Sequence, residues 1–287
     1  ISPTAIPSLS LSALSTDQIS VLSTKQVSAF SSTQINGLSA TSLSALSGAA
    51  ISAIASGTVS AITTDQINIL STSQVAALTS AQVQALTTAQ INAMSVDQIA
   101  SISASGVGAL TTTQITGLTA AIDLLAGLST AQIPALSAAN VAILTNNQLN
   151  ALSTAQINSL STSQAKALSG SQITGLTTEN LIALSSNAIA NLSTSALSTI
   201  TTPQLQNLTT TQLQSLTSTG LRALTTAQIN ALSTTQTSAL SSTQISALTT
   251  EQIFKLTTVT TAALSTSQIQ ALSSAQVAAM TSAQINN

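Results

Sequence analysis

Ser and Thr hydroxyls run the whole length of this chain, and each would need an activating base beside it to act as a nucleophile. There is no His and no Cys, and the four basic residues, Lys25, Lys166, Arg222 and Lys255, lie in separate stretches. A Ser–Lys dyad is the one nucleophilic arrangement these residue types leave open, and their spacing speaks against it. The acids are Asp17, Asp65, Asp97, Asp123, Glu179 and Glu251. Asp65 and Asp97 could align on one face of a repeating structure as a carboxylate pair, but a simpler electrostatic role accounts for both (below). Metal sites need clustered ligands, and these acids are too sparse. The Gly residues are scattered, with no phosphate-cradling loop. The expectation is a protein that is not an enzyme, with no catalytic, cofactor-binding or metal-binding residues.

Two matches to the N-glycosylation pattern, Asn191-Leu192-Ser193 and Asn207-Leu208-Thr209, are expected by chance in a chain so rich in Ser and Thr. Glycan modification of exposed Ser/Thr hydroxyls is the better candidate of the two.

Whatever positions these groups is not an ordinary globule. Charged residues make up 3% of the 287 residues and aromatics 1%, against roughly 25% charged in typical soluble proteins. The apolar fraction is 44%, enough to bury a core, so disorder through low hydrophobicity is not expected. A net charge of −2 gives no footprint for nucleic acid. Polar residues interrupt every apolar stretch, so no transmembrane segment is predicted. The absence of Cys leaves redox compartment unreadable. A chain that opens at Ile1 without Met or a basic leader reads as a processed product or a segment of something longer.

The chain is one octapeptide repeated, Leu-Ser/Thr-Thr-x-Gln-Ile-x-Ala. Residues 1–5 form a lead-in, 6–117 hold fourteen units, 118–127 a ten-residue variant, and 128–287 twenty more. Position 1 is always Leu, Ile, Met or Phe. Position 2 is Ser or Thr except at Pro7 and Ala55, and position 5 is Gln in 23 of the 34 units. Position 6 is Ile, Val or Leu except at Ala165, Thr237 and Thr261.

A continuous helix fails this pattern, because eight residues at about 100° each leave an offset of about 80° per unit and the apolar stripe would spiral. A straight strand places positions 1 and 6 on opposite faces. One short helix per unit fits better. Ser/Thr at position 2 and Gln at position 5 form a capping box, with Leu at position 1 and Ile at position 6 as its hydrophobic staple. Five of the six acids fall at position 4, the second helical residue, where the helix dipole favours negative charge. Lys166, Arg222 and Lys255 fall near the far end, and Lys25 is the exception. Pro203, also at position 4, would forfeit no intrahelical hydrogen bond. Gly37, Gly117, Gly175, Asn191 and Asn207 at position 8 are suited to a left-handed helix terminus, while Ala there suits close packing. Pro134 predicts a single turn or bend in its unit.

Helices this short need neighbours to be stable. The predicted fold is therefore a mainly α repeat solenoid with one very short capped helix per unit, a β-solenoid being the alternative. Three units per coil would give a rod on the order of 100 Å long.

The units Leu86–Ala93 and Leu224–Ala231 resemble the L-[ST]-T-x-Q-[IV]-x-A tandem arrays of very large bacterial surface and secreted proteins, often described as adhesin-like. The likeness runs over nearly the whole chain and implies an extracellular or cell-surface setting. The expected function is a structural rod, sheath or extracellular filament, self-associating end to end or laterally, since sparse charge offers little repulsion. The alternative is an adhesin stalk or a repeat array binding carbohydrate or ice. Ice binding would need a flat row of position-3 Thr, which forms only if a coil closes on a whole number of units.

Overall fold

The computed structural model describes residues 2–118 and 125–286. It comprises two compact units, Ile1–Leu144 and Thr145–Asn287, both built from the same short-helix repeat. Among the described residues every regular element is helical and none is a strand, so the α-solenoid is what forms. Most of the ten-residue variant predicted at 118–127, including Asp123, lies outside the described residues.

One repeat shows how the chain turns its corners. Thr79 is extended (φ −72°, ψ 160°) and its hydroxyl accepts the Gln82 amide N–H. Helix Ser80–Ala85 follows, and Leu86 is extended again (φ −61°, ψ 139°) before Thr87 caps helix Thr88–Asn92. Position 1 thus serves as the end of one helix and the lead-in to the next. Its N–H closes the helix by donating to the position-6 carbonyl three residues back, as Leu86 does to Val83 (3.2 Å) and Met94 to Ile91 (3.1 Å).

That closure replaces the left-handed terminus expected at position 8. No described residue, glycine or other, has positive φ. Gly117 sits at φ −84°, ψ 0° and Asn191 at φ −103°, ψ 2°, while Gly37, Gly175 and Asn207 remain inside their helices. The extended Leu reverses the chain without help from glycine.

The prolines behave as their geometry requires. Pro203 lies in the first turn of helix Thr202–Asn207. The Pro134 unit is reduced to a single 3-10 turn, Ile133–Ala135. Near the start, Pro7 takes the place of a cap hydroxyl, and the chain forms 3-10 turns Pro3–Ser8 and Leu11–Ala13 instead of an α-helix.

Within each unit helices pack against the third one along, as Ser80–Ala85 does against Ala104–Ala109, yet the coil does not close on three units. Asn36 reaches Ala61, 25 residues on, whereas Gln66 reaches back 28 residues to Leu38 and 31 to Ile35. Lateral neighbours therefore fall between three and four units apart, and stacked repeats are out of register with one another.

A position-3 residue consequently meets position 8 of a later unit and not another position 3. The ideal Cβ of Gly117 would lie 2.6 Å from Thr88 Cγ2, and that of Gly170 2.8 Å from Thr199 Cγ2. Size is traded across this contact: Thr88 faces Gly117, and Gly170 faces Thr199. Close packing explains the glycines at Gly117, against Thr88, and Gly175, against Asn146, but not Gly37, where an added side chain would meet open space, and the out-of-register stacking breaks up the Thr row an ice-binding face would need. The outward residue is position 4, where Asp65, Asp97, Glu179 and Glu251 are exposed.

Positions 1 and 6 make the core. Ile67, Leu149, Leu205 and Leu213 at position 6 are completely buried, and Leu86, Leu152 and Leu216 at position 1 nearly so. Each contributes about 1.5–3 kcal/mol of hydrophobic stabilisation.

Candidate functional site

The recurring chemistry of this protein is a ladder of buried glutamines. Every position-5 Gln except Gln132 closes a full capping box, its Oε1 accepting the N-cap amide N–H and its own N–H reaching the cap hydroxyl. Gln132, in the Pro134 unit, keeps only the Oε1 half, accepting from Ser129 N at 2.6 Å. Where position 5 is not Gln but position 2 keeps its hydroxyl, the hydroxyl half alone persists, as in Ser47 with Ala50 and Ser193 with Ala196, whereas Ala55 caps nothing.

The other end of the glutamine does what the capping motif does not foretell. Gln82 Nε2 donates to the carbonyls of Ile51 (2.8 Å) and Ile54 (2.7 Å), while its Oε1 accepts from Thr79 N (2.8 Å). Gln228 does the same with Leu197, Ile200 and Thr225, and Gln252 with Leu221, Leu224 and Thr249. Both amide hydrogens and the oxygen are used, so a primary amide's principal hydrogen-bonding groups are satisfied in a buried position. Each such side chain fastens its own helix start to the helix end and linker of an earlier coil.

This explains a feature of the composition: none of the acids stands at position 5. Glu forms a capping box as readily as Gln. A carboxylate, however, has no hydrogens to give two carbonyl oxygens and would be repelled by them. The absence of Glu was the signal for a second function of this position.

A second ladder runs the opposite way on the outside. Asn158 donates to Ala183 O, Gln214 to Ala239 O and Asn230 to Lys255 O, each 25 residues ahead. Arg222, expected at its own helix's C-terminal end, lies there, and its Nε also donates to Ala247 O at 2.7 Å. Lys166 and Lys255 also sit in last turns, and Asp17, Asp65, Asp97, Glu179 and Glu251 in first turns, as the dipole argument requires.

Departures from the consensus leave identifiable defects. Asn140 replaces Gln; its Nδ2 reaches Leu110 O (2.8 Å), but its buried Oδ1 has no partner. One methylene more would let the amide span both cap and ladder, so Asn140→Gln is expected to stabilise by about 1 kcal/mol, read as a higher unfolding midpoint. Thr237 stands at a core position 6 with its buried hydroxyl oxygen unpaired. Thr237→Val removes that oxygen at constant shape and is expected to stabilise by about 1–2 kcal/mol in chemical denaturation. Thr261 differs, because its hydroxyl donates to Thr257 O at 2.9 Å.

The groups first considered for chemistry are placed as follows. Asp65 and Asp97 are both exposed, and among the described residues no three potential metal ligands converge. Asn191 and Asn207 are exposed, their amides donating to Asn187 O and Pro203 O within their own helices. Lys166 shares an open groove of about 450 Å³ with Asn191, Ser193, Thr194 and Thr217, a proximity the sequence did not announce. No helix among the described residues is long and apolar enough to cross a membrane.

A coil of capped helices joined by two-residue corners and cross-linked by buried amides defines an octapeptide α-solenoid repeat protein. The ALTTAQ repeat family model matches residues 4–40, 51–88, 59–96, 125–154, 146–178, 208–241, 230–258 and 262–287, more than half of the chain, and the chain belongs to that family. The family's namesake string stands here as Ala85–Gln90 and Ala223–Gln228. It spells the junction itself: helix end, linker Leu, cap hydroxyl, first turn, ladder Gln. No curated protein matches the chain.

Proposed function

We propose that this protein is a structural element of a bacterial surface, a rod, sheath or extracellular filament component, and that it is not an enzyme. The observation supporting this is the use made of its buried polar groups. Gln66, Gln82, Gln98 and Gln114 direct their amides to backbone of their own cap and of an earlier coil. Chemistry that in an enzyme would be aimed at a ligand is here aimed at the next layer of the same repeat. The sequence likeness to surface and secreted repeat arrays is what supports an extracellular setting in this reading.

Immunogold labelling of native cells and electron microscopy of the labelled material test this reading. Regular extracellular assemblies carrying the label are expected. A label confined to the cytoplasm, or isolated monomers that turn over or bind a small ligand, would overturn it.

A further inference from the structure

The glutamine ladder is not uniform. At Gly106, Asn140, Gly220 and Thr260 position 5 is not Gln, but the octapeptides on both sides supply one, as Gln98 and Gln114 flank Gly106. Twice, however, three consecutive octapeptides go without: Ser42, Ala50 and Thr58 in the first compact unit, and Asn180, Ala188 and Ala196 in the second. Lateral neighbours lie between three and four octapeptides apart, so each run covers most of one turn of the solenoid.

The side chains standing in those places stay local. The Ser42 hydroxyl pairs with that of Ser39 (2.8 Å), and Thr58 donates to Ala55 O (2.8 Å), each within its own helix turn. Ala188 and Ala196 are fully buried with nothing to donate. Asn180 alone reaches across, its Nδ2 lying 3.4 Å from Leu149 O and 3.5 Å from Asn150 Oδ1, the long limit of a hydrogen bond. In a fastened coil Gln236, Gln244 and Gln252 each deliver Nε2 to two carbonyls, among them those of Leu208, Leu216 and Leu224. At the same spacing Leu152, Leu160 and Leu168 are matched by Asn180, Ala188 and Ala196, and no position-5 glutamine meets their carbonyls. The polar contacts that still cross this boundary lie among exposed groups: Asn158 Nδ2 to Ala183 O (3.1 Å), Thr177 N to Asn150 Oδ1 (3.0 Å) and the Thr199 hydroxyl to Gly170 O (3.3 Å). Water competes for such bonds, whereas a buried amide pair is lost outright when coils part.

We propose that each run is a built-in seam, the place at which its compact unit opens first. A solenoid's stability is close to a sum of repeat and nearest-neighbour terms, so the least fastened neighbour contact yields before the others. Helices of five or six residues do not persist without their neighbours, and parting at the seam therefore strips protection from the helices that face it. In a load-bearing rod a seam gives way while glutamine-fastened coils stay closed; that use rests on the structural-element reading above, whereas the seam itself does not.

Native-state hydrogen exchange of the full chain at low urea concentrations, read peptide by peptide, tests it. The informative helix is Thr154–Asn158. It faces the second run but keeps a complete capping box around Gln156, so its exchange reads the seam and not a weakened cap. Its protection is expected to be at least about tenfold lower than that of Thr210–Ser215, which is equally capped and whose Leu213 and following Leu216 carbonyls accept Gln244. A new seam can also be made. Gln98→Ala with Gln114→Ala turns the single gap at Gly106 into a run of three. Helix Thr72–Ala76 keeps its own capping box around Gln74 and, like its carbonyl partner position Gly106, is untouched by either change. It should nevertheless lose protection at least about tenfold, because both neighbouring fastenings, to Ile67 and Leu70 and to Val83 and Leu86, are gone. Equal protection of Thr154–Asn158 and Thr210–Ser215 overturns the proposal, as does a folded double variant in which Thr72–Ala76 exchanges like the parent. Should the double variant not fold, the comparison within the parent chain decides alone. Surface labelling is read separately, so its failure would remove the proposed setting and leave the exchange result standing.

Discussion

Replacing Gln82 by glutamate should destabilise the first unit by about 3–5 kcal/mol at neutral pH, although glutamate is the other residue that forms a capping box. Gln82 is 1% exposed, and its Nε2 lies 2.8 Å from Ile51 O and 2.7 Å from Ile54 O. Glutamate preserves the acceptor for Thr79 N but sets a charge among carbonyl oxygens with no cation to answer it. Burial and those oxygens both favour the protonated acid, raising its pKa in the folded chain. The defect should therefore be smallest in acid and grow as pH rises through the folded-state pKa. Thr79→Ala provides the contrast. It removes the cap hydroxyl and leaves the ladder, and should cost only about 1 kcal/mol. Melting curves of the two variants at several pH values decide the matter. If Gln82→Glu melts with the parent at neutral pH, capping is the whole role of this residue and the coils are held together by apolar packing alone.

How much of this was legible in the sequence follows the range of the interactions. The cap of Ser15 by Gln18, the acids at the second helical residue and the place of Pro203 are decided within three or four residues, and the repeat writes them out in order. The stacking offset is decided by contacts 25 to 31 residues away. No local pattern encodes it, so a coil of three units was a natural expectation and the half-step displacement was not. The glutamine ladder was half visible. Its acceptor end obeys a local motif, whereas its donor end reaches an earlier coil and left only the exclusion of Glu as a trace. The left-handed terminus expected at Gly117 failed because tertiary packing, the contact with Thr88, places a small residue there for a different reason.

Truncating Leu205 to alanine should be nearly as damaging as the charge, about 2–5 kcal/mol, and its effect should be local. Leu205 is fully buried at position 6, and its carbonyl accepts Gln236 Nε2 at 3.1 Å. A cavity there loosens both the helix Thr202–Asn207 and the backbone on which the Thr234–Ala239 helix is anchored. A solenoid's stability is close to a sum of repeat and nearest-neighbour terms. Amide exchange should thus accelerate in those two helices, in Thr178–Ala183, which packs against the first, and at the end of Gly170–Gly175, where the carbonyls of Ile173 and the following Leu176 accept Gln204. Helices beyond the adjacent coils should keep their protection. The naturally small Ala165 at the same position gives a benchmark, because its unit still forms a complete capping box around Gln164. Exchange that quickens evenly across residues 145–287 would instead mean that the unit melts as a single body. The ladder would then have to be regarded as a global scaffold and not as a chain of separate fastenings.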